Sequence, residues 1–113
     1  MKVLILEDDD TRIKTFKKQL EGHDVYYFKD VEDAKKAYSY FGPYDYYFLD
    51  HDLDGLVYVD SNNKNTGYQF AKFLAEQKAT GEIIIHSMNT VGAANMKAEL
   101  PQAIVCPFPF LWS

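Results

Sequence analysis

In the stretch "YYFLDHDLDG", residues 46–55, four apolar or aromatic residues run directly into Asp50, His51 and Asp52. Unpaired charge at the margin of a core is costly, so acid, imidazole, acid at this point indicates a site rather than packing. Two other places share the pattern. Glu7, Asp8 and Asp9 follow "KVLIL", while His86, Ser87 and, two residues on, Asn89 close "EIII". Imidazoles change charge near neutral pH, which suits proton transfer by His51 and His86. Carboxylates gathered beside them would raise one another's pKa, and a divalent cation removes that difficulty. Oxygen ligands from Glu7, Asp8 and Asp50 suit Mg²⁺ or Mn²⁺, and imidazoles widen the choice toward Mn²⁺ or Zn²⁺.

Plainer roles exist for several neighbours. Asp9 and Asp10 fit the first turn of a helix, where negative charge is favourable. Arg12 fits a solvated helix position, although a guanidinium one turn in also reaches anions. Asp54 and Gly55 have turn chemistry, and Thr66 suits a helix cap. His23 lies in a helix–strand connection and fits a surface role. Cys106 fits a small buried hydrophobe at a strand end.

The elements that would position these groups alternate along the chain. "KVLIL" is a short β-branched run, as expected of a strand buried on both faces. A helix follows over 8–22, with Ile13, Phe16 and Leu20 at helical spacing and Gly22 at its end. "DVYYF" is a second strand, and Asp30 caps a second helix carrying Val31, Ala34 and Tyr38 on one face. "YDYYFL" is the third strand. A polar loop over 51–65 precedes a helix over 66–81, with Phe70, Ala71 and Leu74 inward. "EIIIHS", the weaker helix "NTVGAANMKAEL" and "AIVC" complete the series before "PFPFLWS". Strands alternating with helices imply right-handed crossovers and one doubly wound parallel sheet of the α/β class, a single domain over 1–113. Ligands of such sheets bind beyond the carboxyl ends of the strands. There, neighbouring first, third and fourth strands would bring the acids and both imidazoles to one rim.

Composition narrows the classes. The 113 residues are 47% hydrophobic with net charge −5, enough for a core and poorly suited to gripping a DNA duplex. No window approaches the roughly 18 apolar residues of a membrane span. One cysteine fits a reducing cytoplasm.

With these residues placed, the chain resembles the receiver domains of response regulators along almost its whole length. That resemblance implies strand order 2-1-3-4-5, metal binding by Glu7 and Asp8 in "VLILEDD", a phospho-accepting Asp50 in "YDYYFLD", and a hydroxyl position at Ser87. Three departures stand out. Cys106 occupies the family's lysine position, "HDLDG" replaces an apolar, proline-containing segment, and a fifth helix is not expected. The chain more closely resembles the cyclic-phosphate-processing receiver domains. Glu7-Asp8-Asp9 with Arg12, "LDHDL" at 49–53, Thr66-Gly67 and "HSMN" at 86–89 match that family's motifs in order.

This second resemblance implies metal-assisted hydrolysis of a cyclic phosphate on a nucleotide or RNA end. His51 and His86 would act as base and acid, Asp52 would orient His51, and Asp50 would join Glu7 and Asp8 around the cation. Ser87, Asn89, Arg12 and Thr66 would hold the phosphate. The aromatics Tyr58 and Tyr68 fit equally a base-stacking role and a cover for the core. Two alternatives come from other classes: a signalling switch phosphorylated on Asp50, and a module that binds cyclic nucleotides without cleaving them. The aromatic tail is expected to fold back over the face a fifth helix would cover, leaving a monomer or weak homodimer.

Overall fold

The β-branched and aromatic runs form one sheet in the computed structural model, which describes residues 1–53, 55 and 58–112. The turn expected at Asp54 lies outside the described residues. Strands β1 (Lys2–Leu6), β2 (Asp24–Phe28), β3 (Tyr46–Leu49), β4 (Glu82–Ile85) and β5 (Ile104–Val105) pair in parallel in the order β2-β1-β3-β4-β5. Helices α1 (Asp10–Gln19), α2 (Val31–Phe41), α3 (Gly67–Gln77) and α4 (Thr90–Glu99) fill the crossovers. The α/β class and strand order are as expected, and four α-helices occur among the described residues.

Alternation along β1 divides the core. Leu4 and Leu6 join Leu49, Ile85, Phe70, Leu74 and Met96 on the face covered by α2, α3 and α4. Val3 and Ile5 join Phe48 and Phe16 of α1 on the other. The tail covers that second face beside α1: Phe108, Leu111 and Trp112 pack there, with Trp112 5.8 Å from the Phe16 ring and 6.3 Å from Phe48. The fold-back expected of "PFPFLWS" is therefore present.

Element boundaries shift inward from the sequence reading for local reasons. Asp9 and Asp30 are caps, their carboxylates accepting the N–H groups of Arg12 and Asp33. Strand β4 stops at Ile85, freeing His86 and Ser87 for the rim. Among the described residues, no helix is long and apolar enough to cross a membrane.

Candidate functional site

The sheet register builds the centre of the site. Leu6, Leu49 and Ile85 stand side by side in β1, β3 and β4. The ladder continues one residue further: Asp50 N–H donates to the Leu6 carbonyl and His86 N–H to the Leu49 carbonyl, each at 3.0 Å. Glu7, Asp50 and His86 are thus neighbours on strands about 4.8 Å apart, and alternation turns all three away from the Leu6 face toward α1. One ligand atom from each lies within 4.8 Å of the other two, and all three residues are buried.

Burial dominates the electrostatics there. Glu7 Oε1 is 2.9 Å from His86 Nε2, and Glu7 Oε2 accepts the N–H groups of Asp8 and Asp9. Burial raises the Glu7 pKa against those backbone donors and the Arg12 charge. Burial also lifts Asp50 to about 7, outweighing the pull of His86, the N–H of His51 and Arg12. Burial lowers His86 to about 4 and keeps it neutral despite the nearby Asp50 carboxylate. His86 Nδ1 is enclosed with no hydrogen-bond partner among the described residues.

Arg12 is more than a solvated helix residue. Asp9 caps α1, and one turn in the Arg12 Nη1 lies 3.7 Å from Glu7 Oε1 and 3.8 Å from Asp50 Oδ2. Its guanidinium rests 5.3 Å from the Phe108 ring centre, and Nη2 reaches Met88 Sδ at 3.6 Å. The tail thus supports the arginine from below.

His51 faces the other way. Its Nδ1 is 2.8 Å from Asp52 Oδ1 and its Nε2 2.9 Å from Ser61 Oγ. Gly92 of α4 lies against its ring so closely that a Cβ there would come within 2.4 Å of Cγ. His86 packs instead on Phe16, ring centres 5.3 Å apart, on the α1 side. The expectation that both imidazoles share one phosphate is corrected by this geometry. His51 and His86 are one residue out of phase along adjacent strands, so the pleat sends them to opposite faces. Burial works to raise the Asp52 carboxyl, but hydrogen bonds from His51, Asn89 and the N–H groups of Tyr58 and Val59 hold it below its ordinary value.

A cavity of about 550 Å³ opens above Asp50, walled by Asp8, Arg12, Asp50, Asp52, Ser87 and Asn89, with Tyr58 and Met88 at its sides. Asp8 gives one oxygen to Gly55 N–H. It lines the cavity, while Glu7, Asp50 and His86 form the group whose ligand atoms lie within 4.8 Å of one another. Ser87 Oγ accepts the Asn89 N–H, which leaves the hydroxyl proton to offer. Asn89 caps α4 through Oδ1 and donates through Nδ2 to Asp52.

Thr66 stands outside this cavity, so the expected phosphate contact is corrected as well. Its side chain is buried, makes no cap bond, and donates to the loop carbonyls of Asn63 and Ser61. The neighbouring Gly67 explains the Thr-Gly pair better. A Cβ at 67 would lie 1.7 Å from the Asp50 carbonyl oxygen, and Gly67 N–H donates to the His51 carbonyl at 2.9 Å. Helix α3 therefore starts hard against the backbone that aims Asp50. Cys106 is half-buried beyond β5, away from these walls.

Sequence reasoning missed Ser61, Asn95 and Gly92. Ser61 sits in a polar loop with turn composition, and Asn95 Nδ2 reaches its Oγ at 2.9 Å from α4. No local spacing signals either partner; only the unexplained glycine inside a helical pattern hinted at a close approach.

Fold and rim together define a receiver-type domain. The response regulator receiver domain of Methylobacillus flagellatus superposes with a TM-score of 0.70 at 26% identity, over 95% of this chain and 85% of that one. The response regulator TrrA of Thermotoga maritima, in complex with Mg²⁺–BeF, gives 0.70 at 22% identity over 99% and 92%. The N-terminal domain of an uncharacterized protein of Wolinella succinogenes gives 0.72 at 20% over 97% and 82%. No curated protein matches the sequence. Within the receiver class, residues 2–102 match the family described as the Cyclic-phosphate processing Receiver domain. The chain belongs to that family.

Proposed function

We propose that this chain hydrolyses a cyclic phosphodiester in the cavity above Asp50, with help from a divalent cation. The observation that carries the reading is the position of Arg12. A guanidinium stands 3.8 Å from a buried carboxylate on the wall of one cavity that also holds a serine hydroxyl and an asparagine. Arg12 and the Ser87 hydroxyl would bind the phosphate oxygens, where charge develops as the ring opens. Water adds to phosphorus, one ring P–O bond breaks, and the water proton passes to Asp50 and on to the departing oxygen. His51 acts as a positioning residue that fixes Asp52, and His86 fixes Glu7.

Two buried carboxylates beside one arginine form a donor set that suits Mg²⁺ or Mn²⁺. Glu7, Asp8 and Asp50 would hold the ion, and His86 is a further donor within reach. The ion would supply positive charge for the phosphoryl oxygens. The Mg²⁺–BeF complex of TrrA, on the same fold, supports this assignment.

Phosphorus NMR of 2′,3′-cyclic AMP incubated with the protein and Mg²⁺ or Mn²⁺ tests the proposal. Conversion to a monoester, reduced at least tenfold in Arg12→Ala and Asp50→Asn, is expected. A ring left intact by a folded, metal-loaded protein would sink it. The same proximity of Arg12 to Asp50 favours a second reading, phosphorylation of Asp50 with Arg12 in place of the lysine that Cys106 lacks. Acetyl phosphate with Mg²⁺ would then leave a hydroxylamine-labile adduct that Asp50→Asn abolishes.

A further inference from the structure

A second cavity, of about 590 Å³, lies between the loop before α3 and the exposed side of α4. It shares two wall residues, Tyr58 and Asn89, with the cavity above Asp50. From this juxtaposition we infer that the second cavity holds the nucleoside of the substrate, and that the substrate is a cyclic phosphate on a single nucleoside. The inference rests on the phosphate reading above and deepens it.

The walls have the chemistry of a nucleoside subsite. Tyr58 stands at the junction, 79% exposed, and its backbone is fixed there by an N–H bond to Asp52 Oδ2 at 2.7 Å. An exposed ring on the wall of both cavities offers a stacking face. Along the same walls, half-buried Asn95 and exposed Asn62 carry amides, and Tyr68 is held by Glu99 at 2.8 Å. Such groups exchange hydrogen bonds with base edges and ribose hydroxyls. The frame is rigid: Asp52, His51, Ser61 and Asn95 form a continuous chain of hydrogen bonds from the first cavity into the second.

Charge decides between candidate substrates. The second cavity is walled by Asp60 and Glu99, and no Lys, Arg or His is among its described lining residues. A second phosphate there would meet only like charge, so a cyclic dinucleotide or an RNA end is disfavoured. A neutral base with amino groups is favoured. The net charge of −5 acts in the same direction against longer nucleic acid.

Amide chemical-shift titrations with adenosine 2′,3′-cyclic phosphate, base-free glycerol 1,2-cyclic phosphate, adenosine and a cyclic dinucleotide test this. The nucleotide should bind at least tenfold tighter than the base-free ester and move Tyr68 and Asn95 as well as Arg12 and Ser87. Ala98→Trp, which fills the second cavity from an exposed helix position, should bring the nucleotide down to the affinity of the base-free ester. Equal affinities for both esters, with Arg12 and Ser87 moving, would overturn the subsite and leave the phosphate reading standing. Shifts at Tyr68 and Asn95 from adenosine alone, with no response of Arg12 to either ester, would instead overturn the phosphate reading. A dinucleotide binding as tightly as the mononucleotide would refute the single-nucleoside assignment.

Discussion

Glu7 Oε1 lies 2.9 Å from His86 Nε2 with both side chains fully out of solvent. Because burial holds His86 near 4 and raises Glu7, the contact at neutral pH is a hydrogen bond to a neutral imidazole rather than an ion pair. Removing one partner strands the other in a dry site. His86→Ala is expected to cost about 2–4 kcal/mol in urea unfolding. Glu7→Gln should cost less, about 1–2 kcal/mol: its oxygen keeps the two backbone N–H groups, but its amide can donate to Nε2 only if the imidazole proton moves to the unpartnered Nδ1. Equal stability of the two variants would refute the buried pairing.

Asp50 gives the site a pH dependence of definite sign. Its pKa rises from the ordinary 3.8 to about 7 on folding. Its contribution to stability is therefore greatest at low pH and is lost as pH rises from about 4 through 7. Below 6.5 the lowered His86 works in the opposite direction, since its contribution is lost as pH falls from 6.5 toward 4. At pH 8 His86 is neutral in both the folded and the unfolded chain, so a comparison of wild type with Asp50→Asn there reads Asp50 alone. In EDTA at pH 8 the variant should be the more stable protein, by on the order of a few kcal/mol, and so unfold at the higher temperature. Adding Mg²⁺ should reverse that order by stabilising only the wild type. Melting curves of both proteins at pH 5 and pH 8, with and without Mg²⁺, read this directly.

How far the site was legible in the sequence follows from which interactions are local. The five strands announce themselves by apolar runs, and Asp50 by the abrupt acid after "YYFL". The adjacency of Glu7, Asp50 and His86 follows from parallel register once the strand order is known. The facing of His51 was not legible, because one residue of strand length decides which side of the sheet it enters. Strand β4 ends at Ile85 and puts His86 out of phase with His51. Ser61 and Asn95 were invisible for another reason. They meet across 34 residues of sequence, through a loop whose composition only announces turns.

Gly92 tests the opposite side of the sheet. A Cβ there would lie 2.4 Å from His51 Cγ and 2.6 Å from Nδ1, while Asn89 holds the helix start in place through the Gly92 N–H. Neither side can yield cheaply. Gly92→Ala is expected to destabilise by about 1–3 kcal/mol through overpacking, despite alanine's better helix propensity. The same change should move the His51 ring and so disturb Asp52 and Ser61. Large shifts of the Ser61 and Tyr58 amides, distant in sequence from residue 92, would report it. A stabilised variant with those amides unmoved would contradict the packing described.

The tail offers a direct optical test, because Trp112 is the single tryptophan of the chain. Its ring packs edge-on to Phe16 at 5.8 Å and beside Phe48, on the face α1 leaves partly uncovered. Phe16 also meets Phe108 at 5.6 Å, and Phe108 in turn supports Arg12. Docking of the tail should therefore give blue-shifted emission in the native protein that moves red on unfolding. Trp112→Ala should cost about 1–3 kcal/mol, less than a fully buried aromatic, since the ring is only half-covered. Phe108→Ala should also loosen Arg12 and weaken inorganic phosphate binding, whereas Trp112→Ala should leave that binding within about twofold. Emission already red in the native protein would show that the tail does not lie on this face.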